Sequence, residues 1–122
     1  MALKNITPML YTREVRATVD FYINNLGFTC VGYGDDWGWA TVSRDEVEIM
    51  FSLPIEHEPF SMPKFTGSLY IRTDKVDAIW AELKEHAIIC YPIETFNYGM
   101  REFAVYDYNG YLLQFGTPVD VD

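Results

Sequence analysis

At 122 residues, 49% of them hydrophobic and 22% charged, the chain has the size and composition of one globular domain, which excludes a disordered polypeptide. A net charge of −9 excludes nucleic acid and anionic membrane surfaces as partners, because both are held by clustered Lys and Arg. The same charge suits a cationic ligand and equally serves solubility, and an aromatic content of 16% suits either a heavy core or a pocket for flat ligands.

In chain order, Met1 to Asn5 offers no apolar leader, and no stretch reaches transmembrane length, so a cytoplasmic protein is expected. Ile6 to Tyr11 reads as a strand, with Pro8 suiting an edge position because proline cannot donate to a ladder. Val15, Val19, Tyr22, Ile23 and Leu26 then form one apolar helical stripe that Gly27 stops. Strands follow at Phe28 to Tyr33, Trp37 to Val42 and Val47 to Leu53, separated by the turn runs Gly34-Asp35-Asp36 and Ser43-Arg44-Asp45. Pro54 to Gly67 reads as a linker.

The order then repeats. Ser68 to Thr73 is a strand, and Val76, Ile79, Trp80 and Leu83 make a second helical stripe, with Asp74 expected as N-cap and Asp77 in the positive first turn. Ile88 to Tyr91, Arg101 to Tyr106 and Tyr111 to Phe115 are strands, the last two joined by the turn Asp107-Tyr108-Asn109-Gly110. Each half is β-α-β-β-β, and the helix starts Val15 and Val76 lie 61 residues apart, the mark of a duplicated unit. The expectation is one α+β domain over 1–122, with module one at about 1–55, a linker at about 54–67 and module two at about 68–122, the two sheets curving around a cavity.

Cys30 and Cys90 lack metal or redox spacing and are expected as buried free thiols, while His57 and His86 are expected in solvent. Asp35-Asp36 and Glu46/Glu48 read as solvated acids. No nucleophile elbow or phosphate loop appears, and Gly32-x-Gly34 reads as a turn.

Several segments resemble the vicinal-oxygen-chelate superfamily of glyoxalases, extradiol dioxygenases and bleomycin-resistance proteins. They are Phe21-Tyr22 running to Leu26-Gly27-Phe28, Asp74 to Ala78, and Asp107-Tyr108-Asn109-Gly110 through Leu113. Tyr98-Gly99-Met100-Arg101-Glu102-Phe103-Ala104-Val105 is similar to a run of the bleomycin-resistance branch, with Tyr98 where a Trp usually stands, and Val47 to Phe51 is similar to that branch's fourth strand. The resemblance implies a glyoxalase/bleomycin-resistance-like fold and a homodimer.

It also implies metal-ligand positions at Thr7, Met50, Ser68 and Gln114. These residue types do not supply the three or four imidazole or carboxylate donors that a divalent metal needs, so neither metal nor other cofactor is expected. A slip of register would pair Glu48 with Gln114, but no histidine joins them. Strand alternation places Glu48, Met50, Ser68, Tyr70, Arg72 and Gln114 on cavity faces, with Trp37 and Trp39 sharing one face of the third strand. Tyr98, Met100 and Arg101 complete the expected ligand-binding set, Tyr98 stacking on a planar ring and Arg101 either pairing with Glu102 or ordering the Tyr98 loop. The leading expectation is sequestration of a cationic, aromatic, antibiotic-like small molecule. The alternatives are a metal-dependent lyase or dioxygenase and a non-catalytic scaffold.

Overall fold

The computed structural model describes residues 2–54 and 61–119. Its chain divides into two compact units, Met1–Ser61 and Met62–Asp122. His57 and the central part of the expected linker lie outside the described residues.

In the first unit the elements are β1 (Met9–Tyr11), α1 (Val15–Leu26), β2 (Thr29–Tyr33), β3 (Trp39–Arg44) and β4 (Val47–Ser52), with sheet order β1-β4-β3-β2. In the second they are β5 (Leu69–Arg72), α2 (Val76–Leu83), β6 (Ile88–Thr95), β7 (Met100–Tyr106) and β8 (Leu112–Pro118), ordered β5-β8-β7-β6. In both sheets the outer first strand runs parallel to its neighbour and the other pairings are antiparallel. The architecture is therefore α+β, two βαβββ units, as the repeat predicts.

Each helix lies on its own sheet because its apolar stripe has nowhere else to be buried. In the first unit Val15, Val19, Tyr22 and Leu26 pack with Phe28, Ile49 and Phe51, and the Tyr22 ring meets Phe28 at 5.2 Å and Phe51 at 4.9 Å. In the second, Val76 and Leu83 are buried and Trp80 tilts onto Phe103 at 5.1 Å. Each such apolar side chain contributes about 1.5–3 kcal/mol on burial. Ile23 departs from the expected stripe: it is 39% exposed, and Thr18 is buried in the helix face instead.

Both helices begin in the same way. Thr12 and Thr73, also 61 residues apart, each accept the backbone N–H two residues on, at Glu14 and Lys75, both at 3.1 Å. Asp74 is therefore not the cap. The N-cap position is Lys75, which makes no side-chain cap bond, and Thr73 closes the turn in its place. Gly27 ends α1 in the left-handed region at φ 77°, as expected.

Strand ends shift for local reasons. β1 starts only after Pro8, whose carbonyl still accepts from Met50 N at 2.9 Å. β6 runs through Pro92 to Thr95, which an edge strand permits. β3 starts at Trp39 because Trp37 sits in a tight turn at φ 55°. The thiols are also more open than expected: Cys30 is half-buried and Cys90 exposed, its Sγ donating to the Tyr106 hydroxyl at 3.3 Å. Cys90 lies within the bulge that shifts the β6 register between Ile89 and Tyr91, and Cys30, in register opposite Val42, sits on the edge strand β2.

Candidate functional site

The second unit's sheet has two chemically different faces, and β7 shows the division. Arg101 and Phe103 face α2: Arg101 Nη2 pairs with Asp77 at 2.9 Å and Phe103 meets Trp80. Met100, Glu102 and Ala104 alternate with them and lie on the opposite face. Arg101 is thus tied to a helix, its guanidinium holding the Asp77 carboxyl below its ordinary range chiefly through their hydrogen bond. Of the two alternatives for Arg101, the pairing with Glu102 is not formed, because adjacent strand residues point to opposite sides of the sheet.

Glu102 instead anchors a polar cluster. It is 1% exposed, yet three side chains donate to it: the Tyr70 hydroxyl at 3.0 Å, Gln114 Nε2 at 3.3 Å, and the Tyr91 hydroxyl. Gln114 Nε2 also donates to the Tyr91 hydroxyl at 2.8 Å, and the Ser68 hydroxyl donates to Gln114 Oε1. Buried polar groups persist when such partners are supplied. Burial first, then the bond to Glu102 and its charge, pushes the Tyr70 phenol up to about 12, and the same causes raise Tyr91 further.

Backbone features make the cluster possible. The Tyr70 ring leans across Gly116, where an added Cβ would stand 2.1 Å from the Tyr70 hydroxyl and 3.1 Å from Glu102 Cβ. Only glycine leaves that path open. The β6 bulge places Tyr91 opposite Ala104, on the Glu102 face.

Beside the cluster, Tyr91, Pro92, Glu94, Phe96 and Tyr98 line a recess of about 360 Å³, within the usual range for small-molecule pockets. The Phe96 and Tyr98 rings stack at 5.3 Å and 8°, and Tyr91 meets Phe96 edge-on at 5.6 Å. The loop is held by Phe96 N donating to Met100 O at 2.8 Å and by Gly99, at φ 91°, whose N–H reaches Phe96 O at 3.1 Å. Tyr98 is 62% exposed, and its phenol is raised by local desolvation, then by Glu102 and Glu94.

The first unit is different. Thr7 Oγ1 donates to Glu48 Oε1 at 3.3 Å, and Met50 pairs with Met9 on one side and Thr41 on the other. Trp39 is half-exposed, and its indole lies against Gly32 and Gly34, where a Cβ would meet it at 3.6 and 2.7 Å. Trp37 does not share its strand: it stacks on Tyr33 at 4.4 Å with Arg16 over its ring at 5.4 Å, a local arrangement of turn and helix.

Of the residues singled out from sequence, Ser68, Tyr70 and Gln114 are brought together, Tyr98 lines the recess, and Met100 shares the Glu102 face. Arg72 is exposed and close enough to oppose the rise at Tyr70. Tyr91, Phe96 and Glu94 escape the sequence reading, which names Glu102 only as a partner for Arg101. The parity of Glu102 with Met100 was the available signal; Tyr91 needed the bulge, which leaves no mark in composition.

The donors do not fit a divalent metal. Thr7 and Ser68 are hydroxyls, Met50 is a thioether, and the Gln114 carbonyl oxygen is engaged by Ser68. Among the described residues no three His, Cys, Asp or Glu gather.

Paired βαβββ units of this kind define a protein of glyoxalase and bleomycin-resistance architecture. The chain belongs to the Glyoxalase/Bleomycin resistance protein/Dioxygenase superfamily, whose family model matches residues 5–115. Among solved structures it is similar to a bleomycin-binding protein complexed with bleomycin, at 22% identity and TM-score 0.74, covering 94% of this chain and 98% of that one. It is similar to a bleomycin resistance determinant encoded on the transposon Tn5, at 22% identity and TM-score 0.77 over 95% and 98%. TioX from Micromonospora sp. ML1 aligns at 18% identity and TM-score 0.76 over 95% and 99%. These identities speak for fold alone. No curated protein matches the chain. No helix among the described residues is long and apolar enough to cross a membrane.

Proposed function

We propose that this is a metal-free binding protein of the bleomycin-resistance type, which sequesters a cationic aromatic small molecule as a cytoplasmic homodimer. The observation that carries the reading is the recess in which Tyr91, Phe96 and Tyr98 stand beside Glu94 and the buried Glu102. Aromatic walls bury a flat ring and add about 0.5–1.5 kcal/mol per stacked pair. A cation over such a face gains about 0.5–2 kcal/mol more. The donor chemistry at Thr7, Met50, Ser68 and Gln114 supports a reading without a metal, and family membership supports a ligand-binding role.

Titration calorimetry with bleomycin and related cationic compounds tests it. Saturable heat is expected, with Phe96→Ala weakening binding about tenfold, or roughly 1.4 kcal/mol. No heat and no thermal shift across the class would overturn the reading. Sedimentation of the free and loaded protein checks the homodimer.

A further inference from the structure

We propose that Glu102 makes the aromatic recess select for cations, acting as a fixed negative charge behind its wall. The inference rests on the recess being a ligand site and adds the residue that sets the ligand's charge.

Every group that bonds Glu102 is neutral: two phenols and an amide. Among the described residues no Lys, Arg or His forms an ion pair with it, and the adjacent Arg101 is committed to Asp77 on the other face. Its charge is therefore held by dipoles with no cation bonded to it, in a setting where fields are poorly screened; Arg72, exposed and near Tyr70, is not part of the recess lining. The charge reaches the recess through Tyr91, whose hydroxyl bonds Glu102 and whose ring lines the recess wall. Glu94 stands on the same wall, and the rise of the Tyr98 phenol, to which both acids contribute after desolvation, agrees with a negative potential there. A planar cation whose ring lies among Tyr91, Phe96 and Tyr98 supplies the missing positive charge. A neutral ring of the same shape gains the stacking and nothing more.

The probes are N-methylacridinium and acridine, one a permanent cation and the other uncharged at mildly alkaline pH, followed by fluorescence in salt high enough to screen the net charge. The wild-type protein is expected to bind the cation about tenfold more tightly or better. Glu102→Gln should bring the two dyes within about twofold of each other while acridine binding stays put. Equal binding by the wild type overturns the proposal, as does a folded Glu102→Gln protein that keeps the full preference. Should that variant not fold, Glu94→Gln decides, since Glu94 is the acid that itself lines the recess: a retained preference supports Glu102 as the source, and a lost one overturns it. Failure of both dyes to bind the wild type removes the recess as a ligand site, and this inference with it. Binding of both dyes without discrimination leaves the recess standing and removes only the charge selection.

Discussion

At Gly116 the absence of a side chain decides the geometry of a whole cluster. Tyr70 can reach Glu102 only by passing over that residue. Gly116→Ala should force the ring aside and cost roughly 1–3 kcal/mol in overpacking, read from a urea midpoint. The phenol gives a second reading. In the folded protein Tyr70 holds its proton to about 12 against an ordinary 10, so its stabilising contribution is complete below about 10 and fades as pH rises through about 12. In the alanine variant the ultraviolet titration of that phenol should fall back towards 10. An unchanged titration would mean that neither burial over Gly116 nor the bond to Glu102 holds the proton. At this scale the sequence was legible in part. Strand parity brought out Ser68, Tyr70 and Gln114, whereas pairing Arg101 with Glu102 ignored the alternation that sends them to opposite faces.

The elements themselves were legible where the pattern has many residues to average over. The stripes Val15 to Leu26 and Val76 to Leu83 match the helices at both ends. Strand limits were less readable, because Pro92 within β6 and the turn at Trp37 are settled by pairing partners far along the chain. The helix starts show a sharper contrast. Thr12 is buried, shares a 3.0 Å bond with the Thr18 hydroxyl and closes the turn at Glu14, whereas Thr73 closes its turn closer to solvent. Thr12→Val should therefore cost about 1–2 kcal/mol and Thr73→Val about 0.5 kcal/mol, measured by chemical denaturation. Equal losses would show that burial of the threonine pair contributes nothing.

For the molecule as a whole, the net charge of −9 adds a long-range attraction to the local one at Glu102. The two separate by ionic strength, since the screening length shrinks from about 30 Å in dilute salt to about 3 Å in concentrated salt. Stopped-flow association of N-methylacridinium should slow roughly tenfold across that range, while its dissociation rate and the association of acridine stay nearly constant. A salt-independent association rate would mean that the overall charge does not guide the ligand.

The matched ladders of the two sheets also line up the unlike residues. Thr12 N donates to Ser52 O and Thr73 N to Gly116 O, both at 3.0 Å, so Ser52 stands where Gly116 does. By the same registers Trp39 corresponds to Glu102, Met50 to Gln114 and Met9 to Tyr70. One module carries a greasy, sulfur-rich surface where its twin carries an acid held by phenols and an amide. The same βαβββ order thus carries two different surface chemistries. Transplanting the acidic arrangement into the first copy would take five exchanges, because Gly32 stands where Tyr91 does and Ser52 would also have to give way to glycine before a tyrosine at position 9 could lie across it.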